Sequence, residues 1–128
     1  MLIGIDIVEN ERFARALARR PRLAERVFTR AEREYCLSRP DPAQHFAVRF
    51  AAKEAVGKAL GTGVLSWREI EISGGGNPRV RMTGWAERAA SALGADRLTV
   101  SLSHCGPVSV AVAAGMPGPA QSGTGRGG

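Results

Sequence analysis

The chain is poor in cysteine, lysine and aromatic residues, and each shortage excludes something. Cys36 and Cys105 are its only cysteines, which leaves neither a disulfide framework nor a Cys-x-x-Cys metal motif. No apolar run approaches the eighteen or so residues of a membrane span, so no membrane partner is expected. The N-terminal MLIGIDIVEN lacks a basic leader and meets Asp6 early, so a signal peptide is not expected and the cytoplasm is the expected setting. Lysine occurs only at positions 53 and 58, against sixteen arginines. What remains is ordinary for a folded domain: 44% hydrophobic and 23% charged residues over 128 positions, a length that fits one domain.

The net charge of +6 is concentrated. Residues 12–33 hold eight arginines against Glu25 and Glu32, which accounts for all of it. Such a basic face suits an acidic partner, whether nucleic acid, membrane or protein. A nucleic-acid module would interleave aromatics for stacking, and this segment offers only Phe13 and Phe28. A nucleic-acid partner is therefore not expected.

Residues 2–8 (LIGIDIV) alternate as a strand, with Leu2, Gly4, Asp6 and Val8 on one side and three isoleucines on the other. Asn10 is placed to cap a helix running to about Arg20. A short helix follows near 22–28, and Thr29-Arg30-Ala31-Glu32 reads as a capping box opening another. After Pro40 and Pro42 comes the longest helical stretch, about 43–60, ended by Gly61. Residues 69–73 and 78–82 alternate around Gly74-Gly75-Gly76-Asn77 as a hairpin, 84–93 form a short helix, and a last strand pair turns at Cys105-Gly106-Pro107. The result is a single α+β domain over 1–114, with a mostly antiparallel sheet packed against a long central helix. The Gly-, Pro- and Ser-rich residues 115–128 are expected to form a disordered tail.

The chemistry is concentrated in RFAAKEAVGKALG, residues 49–61. At 100° per residue, Val48, Ala51, Ala52, Ala55, Val56 and Ala59 share an apolar arc, and Arg49, Lys53, Glu54, Gly57 and Lys58 oppose it with Phe50 among them. One carboxylate among three cations suits a metal-bound polyphosphate, although Glu54 and Lys58 also form a plain i,i+4 pair. Asp6, set in an apolar strand, is costly unless paired or metal-bound and would supply a second carboxylate. His104, after Ser101 and Ser103, ends a probable strand with a hydroxyl-and-imidazole edge able to meet phosphate.

GIDIVENER (4–12), FTRAEREY (28–35), RFAAKEAVGKALGTG (49–63) and SLSHCGPVSVAVA (101–113) resemble the bacterial holo-acyl-carrier-protein synthase family in order and spacing. The resemblance implies the 4′-phosphopantetheinyl transferase fold and magnesium-dependent transfer of 4′-phosphopantetheine from coenzyme A to a serine of an acidic acyl or peptidyl carrier protein. Adenosine 3′,5′-bisphosphate would leave. It further implies Asp6 and Glu54 as magnesium ligands, Glu54 and Lys58 as catalytic residues, and Lys58 at the pyrophosphate. Arg49, Phe50, Lys53, Gly61, Thr62, Gly63, Ser103 and His104 are implied at coenzyme A, and Arg12, Arg19, Arg22 and Arg26 at the carrier. A homotrimer with shared active sites, in which the apolar final strands face a neighbour, is implied as well. A small metal-dependent phosphohydrolase would use similar carboxylates and lysines but would release free phosphopantetheine without a carrier.

Overall fold

Strand β1 (Leu2–Glu9) opens the computed structural model, which describes residues 1–95 and 97–117. Four helices follow: α1 (Asn10–Arg19), α2 (Leu23–Val27), α3 (Arg30–Leu37) and the central α4 (Pro42–Leu60). A 3₁₀ turn (Trp67–Glu69) leads into the hairpin β2 (Ile70–Ser73) and β3 (Arg79–Met82), then α5 (Gly84–Ala92), β4 (Thr99–Cys105) and β5 (Val108–Gly115). Strands β1, β5 and β4 form one antiparallel sheet in that order, and β2 pairs antiparallel with β3. The architecture is the α+β domain with a central helix expected from the periodicities. Residues 118–128 of the expected tail lie outside the described residues, while Gly115 pairs with Leu2 as the last residue of β5.

Alternation along β1 sends Gly4, Asp6 and Val8 toward α4 and leaves Ile3, Ile5 and Ile7 on the outer face, each more than half exposed. The helix lies very close to the strand. A Cβ at Gly4 would sit 2.0 Å from the Ala55 carbonyl oxygen, so only glycine fits there. On the helix side, Ala51, Ala52, Ala55 and Ala59 are all buried and keep that approach short. Pro42 occupies the first turn of α4, where its missing N–H is harmless, and Gly61 ends the helix at φ 80°.

Two expectations are corrected here. Asn10 does not cap α1: β1 runs on to Glu9, and the Asn10 side-chain oxygen accepts a 2.5 Å hydrogen bond from Ser109 Oγ, stitching the helix start to β5. Helix α4 has no solvent-facing arc of the width expected. Arg49, Lys53 and Gly57 are buried along with the alanines, because α3 and the segment 67–74 cover Arg49 and Lys53 while Gly63 and Val64 lie against Gly57. The Thr29–Glu32 capping box forms as expected, with both of its hydrogen bonds present. A second cluster of Phe13, Val27, Phe28, Cys36 and Phe46 joins the first three helices to the N-terminal half of α4.

Candidate active site

Helix α4 carries two adjacent stripes of functional side chains. Phe50, Glu54 and Lys58 repeat at four-residue spacing along one; His45, Arg49 and Lys53 repeat along the next. The stripes feed different places.

The first stripe meets β1. The Lys58 ammonium lies 3.2 Å from Asp6 Oδ1 and donates to the Ile5 carbonyl at 3.0 Å. Asp6, with a side chain 15% exposed, and Glu54 line one cleft of about 580 Å³, walled by Val8, Phe13 and Phe50 and including Glu9 and Arg12. Burial pushes the Glu54 carboxyl above its ordinary range, the Asp6 charge adds to the effect, and Lys58 opposes it. Two carboxylates that repel each other in a partly dry cleft are suitable donors for a hard dication, which relieves the repulsion. Among the described residues, no three His, Cys, Asp or Glu side chains gather as a metal cage. Oxygens from elsewhere must complete any shell.

The sequence model of the 4′-phosphopantetheinyl transferase superfamily matches residues 2–112. The chain belongs to that superfamily. The holo-[acyl-carrier-protein] synthase of Moorella thermoacetica is 53% identical over 114 residues, covering 86% of this chain and 89% of the relative. That of Chlamydia muridarum is 46% identical, covering 87% and 90%. The crystal structure of Helicobacter pylori holo-[acyl-carrier-protein] synthase in complex with coenzyme A superposes with a TM-score of 0.77 at 28% identity, covering 89% of this chain and 99% of that one. The protein is thus an enzyme, a phosphopantetheinyl transferase of the holo-[acyl-carrier-protein] synthase kind.

The second stripe of this transferase descends from the surface into the core. Arg49 is buried over the Tyr35 ring, 4.3 Å from its centroid, and donates from Nη2 to the Gly74 carbonyl at 2.6 Å. Its Nε has no hydrogen-bond partner among the described residues. Arg49 and His104 line a second cleft of about 550 Å³ with Tyr35, Arg39, His45 and Ser101. The two clefts share no lining residue.

Lys53, expected at coenzyme A, is not available to it. Its ammonium is fully buried, 2.8 Å from Glu32 Oε1, and donates to the carbonyls of Trp67 and Ile70. Burial pulls its pKa down from the usual lysine value, with Glu32 opposing. Every donor is satisfied by protein, so none remains for a phosphate. Ser103 and His104 are also separated. Strand alternation turns His104 inward, where Nδ1 lies 3.1 Å from Ser109 Oγ, while Ser103 pairs with Val110 on the same outer face as Ile7. Gly61, Thr62 and Gly63 form an exposed loop beyond Lys58, closed by Gly63 N–H donating to the Gly57 carbonyl at 3.0 Å, and line neither cleft.

The basic face is sorted by its pairings. Arg15 and Arg30 bridge Glu11 and Glu34 one turn away, and Arg33 donates to the Phe28 carbonyl. Arg12 is 4.0 Å from Glu9 and lines the carboxylate cleft. Arg19, Arg20, Arg22 and Arg26 are exposed and make no ion pair among the described residues. Arg20, Arg22 and Arg26 share a groove with Leu23. Arg20, one of the eight arginines of the basic face, is not among those the resemblance places at the carrier, although it lies beside Arg19. His45 and Arg39 were missed too, and His45 was findable by stepping one turn back from Arg49.

Proposed function

We propose that this enzyme transfers 4′-phosphopantetheine from coenzyme A to a serine hydroxyl of an acidic carrier protein, using magnesium held by Asp6 and Glu54. The meeting of those two carboxylates in one cleft, with Lys58 paired to Asp6 beside it, carries the reading. The serine oxygen forms a bond to the β-phosphorus, the pyrophosphate P–O bond breaks, and adenosine 3′,5′-bisphosphate leaves as the serine proton departs. Magnesium, when bound, supplies charge neutralisation at the pyrophosphate. Lys58 is half-exposed and free to turn from Asp6 toward a pyrophosphate oxygen, where its charge favours departure of the leaving phosphate. Phe50 and Phe13 keep one wall of the cleft apolar, which strengthens those electrostatic contacts. Alignment and charge account for most of such a transfer.

Coenzyme A carries two anionic groups, an internal pyrophosphate and a phosphomonoester on its ribose, and the chain has two clefts of opposite character. The pyrophosphate belongs with Asp6, Glu54 and Lys58; the nucleotide end belongs with Arg49 and His104. The family resemblance implies active sites shared between copies of the chain, and two clefts with separate linings agree with one site drawing on two copies. The outer sheet face offers a surface for that meeting: exposed Ile3, Ile5 and Ile7 align with Ala114, Val112 and Val110 of β5. An apolar face of this kind is unusual on a monomer, and we assign it to the contacts of a homotrimer. The residues 61–63 loop would join the coenzyme A cleft in that assembly.

The carrier is assigned to the unpaired arginines Arg19, Arg20, Arg22 and Arg26, with Arg12 between them and the metal cleft. A cytoplasmic setting agrees with the free thiols of Cys36 and Cys105. No helix among the described residues is long and apolar enough to cross a membrane. The deciding experiment incubates the enzyme with coenzyme A, magnesium and a panel of apo-carriers from fatty-acid, polyketide and peptide synthesis, then weighs each carrier intact. Gain of the phosphopantetheine mass supports the reading; free phosphopantetheine with unmodified carriers would indicate a hydrolase instead.

A further inference from the structure

His45, which the resemblance does not assign, completes a cationic cluster with Arg49 and His104, which it places at coenzyme A. The Tyr35 ring gathers the cluster: Arg49 lies 4.3 Å and Arg39 5.7 Å from its centroid, and the His45 ring meets it edge-on at 5.9 Å. His104 of β4 approaches His45 from across the cleft at 6.5 Å between centroids. Asp41 is the one carboxylate among the charged groups that act on His45; the others are Arg49, Arg39 and His104. Arg49 is 3% exposed, has no carboxylate partner and keeps Nε unpaired among the described residues. A buried guanidinium without a counterion is costly, and an anion entering this cleft supplies one.

We propose that His45 is a specificity residue for the terminal phosphomonoester of coenzyme A, which it holds as an imidazolium formed when the nucleotide binds. This rests on the assignment of the cleft to the nucleotide end. The pyrophosphate is claimed by the carboxylate cleft, so the remaining anion of coenzyme A is the monoester on its ribose. In the free protein, burial, Arg49, Arg39 and His104 hold the His45 imidazole below its ordinary value of 6.5, with Asp41 opposing, so it is neutral at pH 7. A phosphomonoester brings nearly two negative charges at that pH. It reverses the local field, raises the proton affinity of His45, and draws one proton from solvent to the ring nitrogen. No covalent bond changes.

The neighbouring hydrogen bonds fit this role. The hydroxyl proton of Ser109 is given to Asn10 Oδ1 at 2.5 Å, so His104 Nδ1 must be the donor in its 3.1 Å contact with Ser109. That leaves only Nε2 of His104 for a ligand. His45 has no side-chain hydrogen bond of its own among the described residues, and both its nitrogens are available to titrate and donate.

The test is calorimetric titration of the magnesium-loaded enzyme with coenzyme A and with dephospho-coenzyme A, at pH 7 in two buffers of different ionisation enthalpy. For the wild type, coenzyme A should bind about tenfold tighter, as a charge-assisted hydrogen bond implies, with proton uptake that dephospho-coenzyme A lacks. His45→Phe keeps the aromatic contact with Tyr35. It should abolish the extra uptake, shrink the preference, and raise KM for coenzyme A while kcat stays. His45→Gln, which can donate but not titrate, serves if the Phe variant fails to fold, and should likewise lose the uptake. Discrimination with unchanged uptake in these variants overturns the role of His45 alone. Equal affinity of the wild type for both nucleotides, with no difference in uptake, overturns the cleft assignment along with it.

Discussion

Replacing Lys53 with Met keeps the aliphatic stem but deletes an ammonium that three buried acceptors share: Glu32 Oε1 at 2.8 Å and the carbonyls of Trp67 and Ile70. Glu32 would retain only Thr29 N–H at 2.8 Å and Ile72 N–H at 2.6 Å to balance its charge in a site 1% exposed. Breaking a buried pair from one side typically costs about 3–5 kcal/mol, against a total stability of about 5–15 kcal/mol for a domain. For a chain of this size that lowers Tm by roughly 10–20 °C. Glu32→Gln added to Lys53→Met removes the stranded charge, but a single amide oxygen replaces the two carboxylate oxygens that accept separately from Thr29 N–H and Ile72 N–H, so the double variant should recover only part of the loss. Urea unfolding of wild type, Lys53→Met, Glu32→Gln and the double variant at one fixed concentration measures the coupling. The folded fraction of Lys53→Met should also bind coenzyme A with nearly unchanged affinity. A variant of near wild-type stability, or one that is stable but loses coenzyme A, would refute the argument and return Lys53 to the substrate.

Four further outcomes are expected. Asp6→Asn and Glu54→Gln should each lower transfer on the order of a hundredfold or more at saturating magnesium, measured by carrier mass. Because burial and the Asp6 charge hold the Glu54 pKa above its ordinary value of 4.5 in the folded protein, the folded protein binds the proton more tightly than the unfolded chain, so apo stability falls as pH rises from there; Glu54→Gln should lose this pH dependence in thermal melts and be at least as stable as wild type at pH 7. Arg22→Glu and Arg26→Glu should raise KM for the carrier, weaken the salt dependence of kcat/KM and leave the Kd for coenzyme A unchanged, since exposed charges act mainly through screened, long-range steering. Ile5→Glu, on the outer sheet face, should yield monomers by light scattering and lose activity; an intact trimer would count against that interface.

Much of the fold was legible because its periods were clean. The alternation of LIGIDIV already separated Asp6 from the isoleucines, and Thr29–Glu32 carried its helix start within four residues. What was hidden depends on partners far along the chain. Arg49 is held by Gly74, 25 residues away, and Lys53 by Glu32, which had been read as a cap alone and in fact caps α3, pairs with Lys53 and accepts from Ile72. A helical wheel assigns a polar residue to solvent by default; it cannot show that a second layer covers that side. Asp6 and Glu54 could be picked out by residue type, but their meeting in one cleft depends on how closely β1 and α4 pack. Ser103 and His104 were separable from the start, since neighbours in a strand face opposite ways.

That packing distance gives Gly4 a function that no side chain could perform. The Asp6–Lys58 pair and the Asp6–Glu54 cleft both span the gap between β1 and α4, and the gap is as narrow as it is because Gly4 has nothing beyond its α-carbon to hold the Ala55 carbonyl away. An alanine there would count as a mild exchange on any scale of side-chain similarity. Here it would drive strand and helix apart and carry the two carboxylates with them, so a residue with no functional group sets the reach of the proposed metal site.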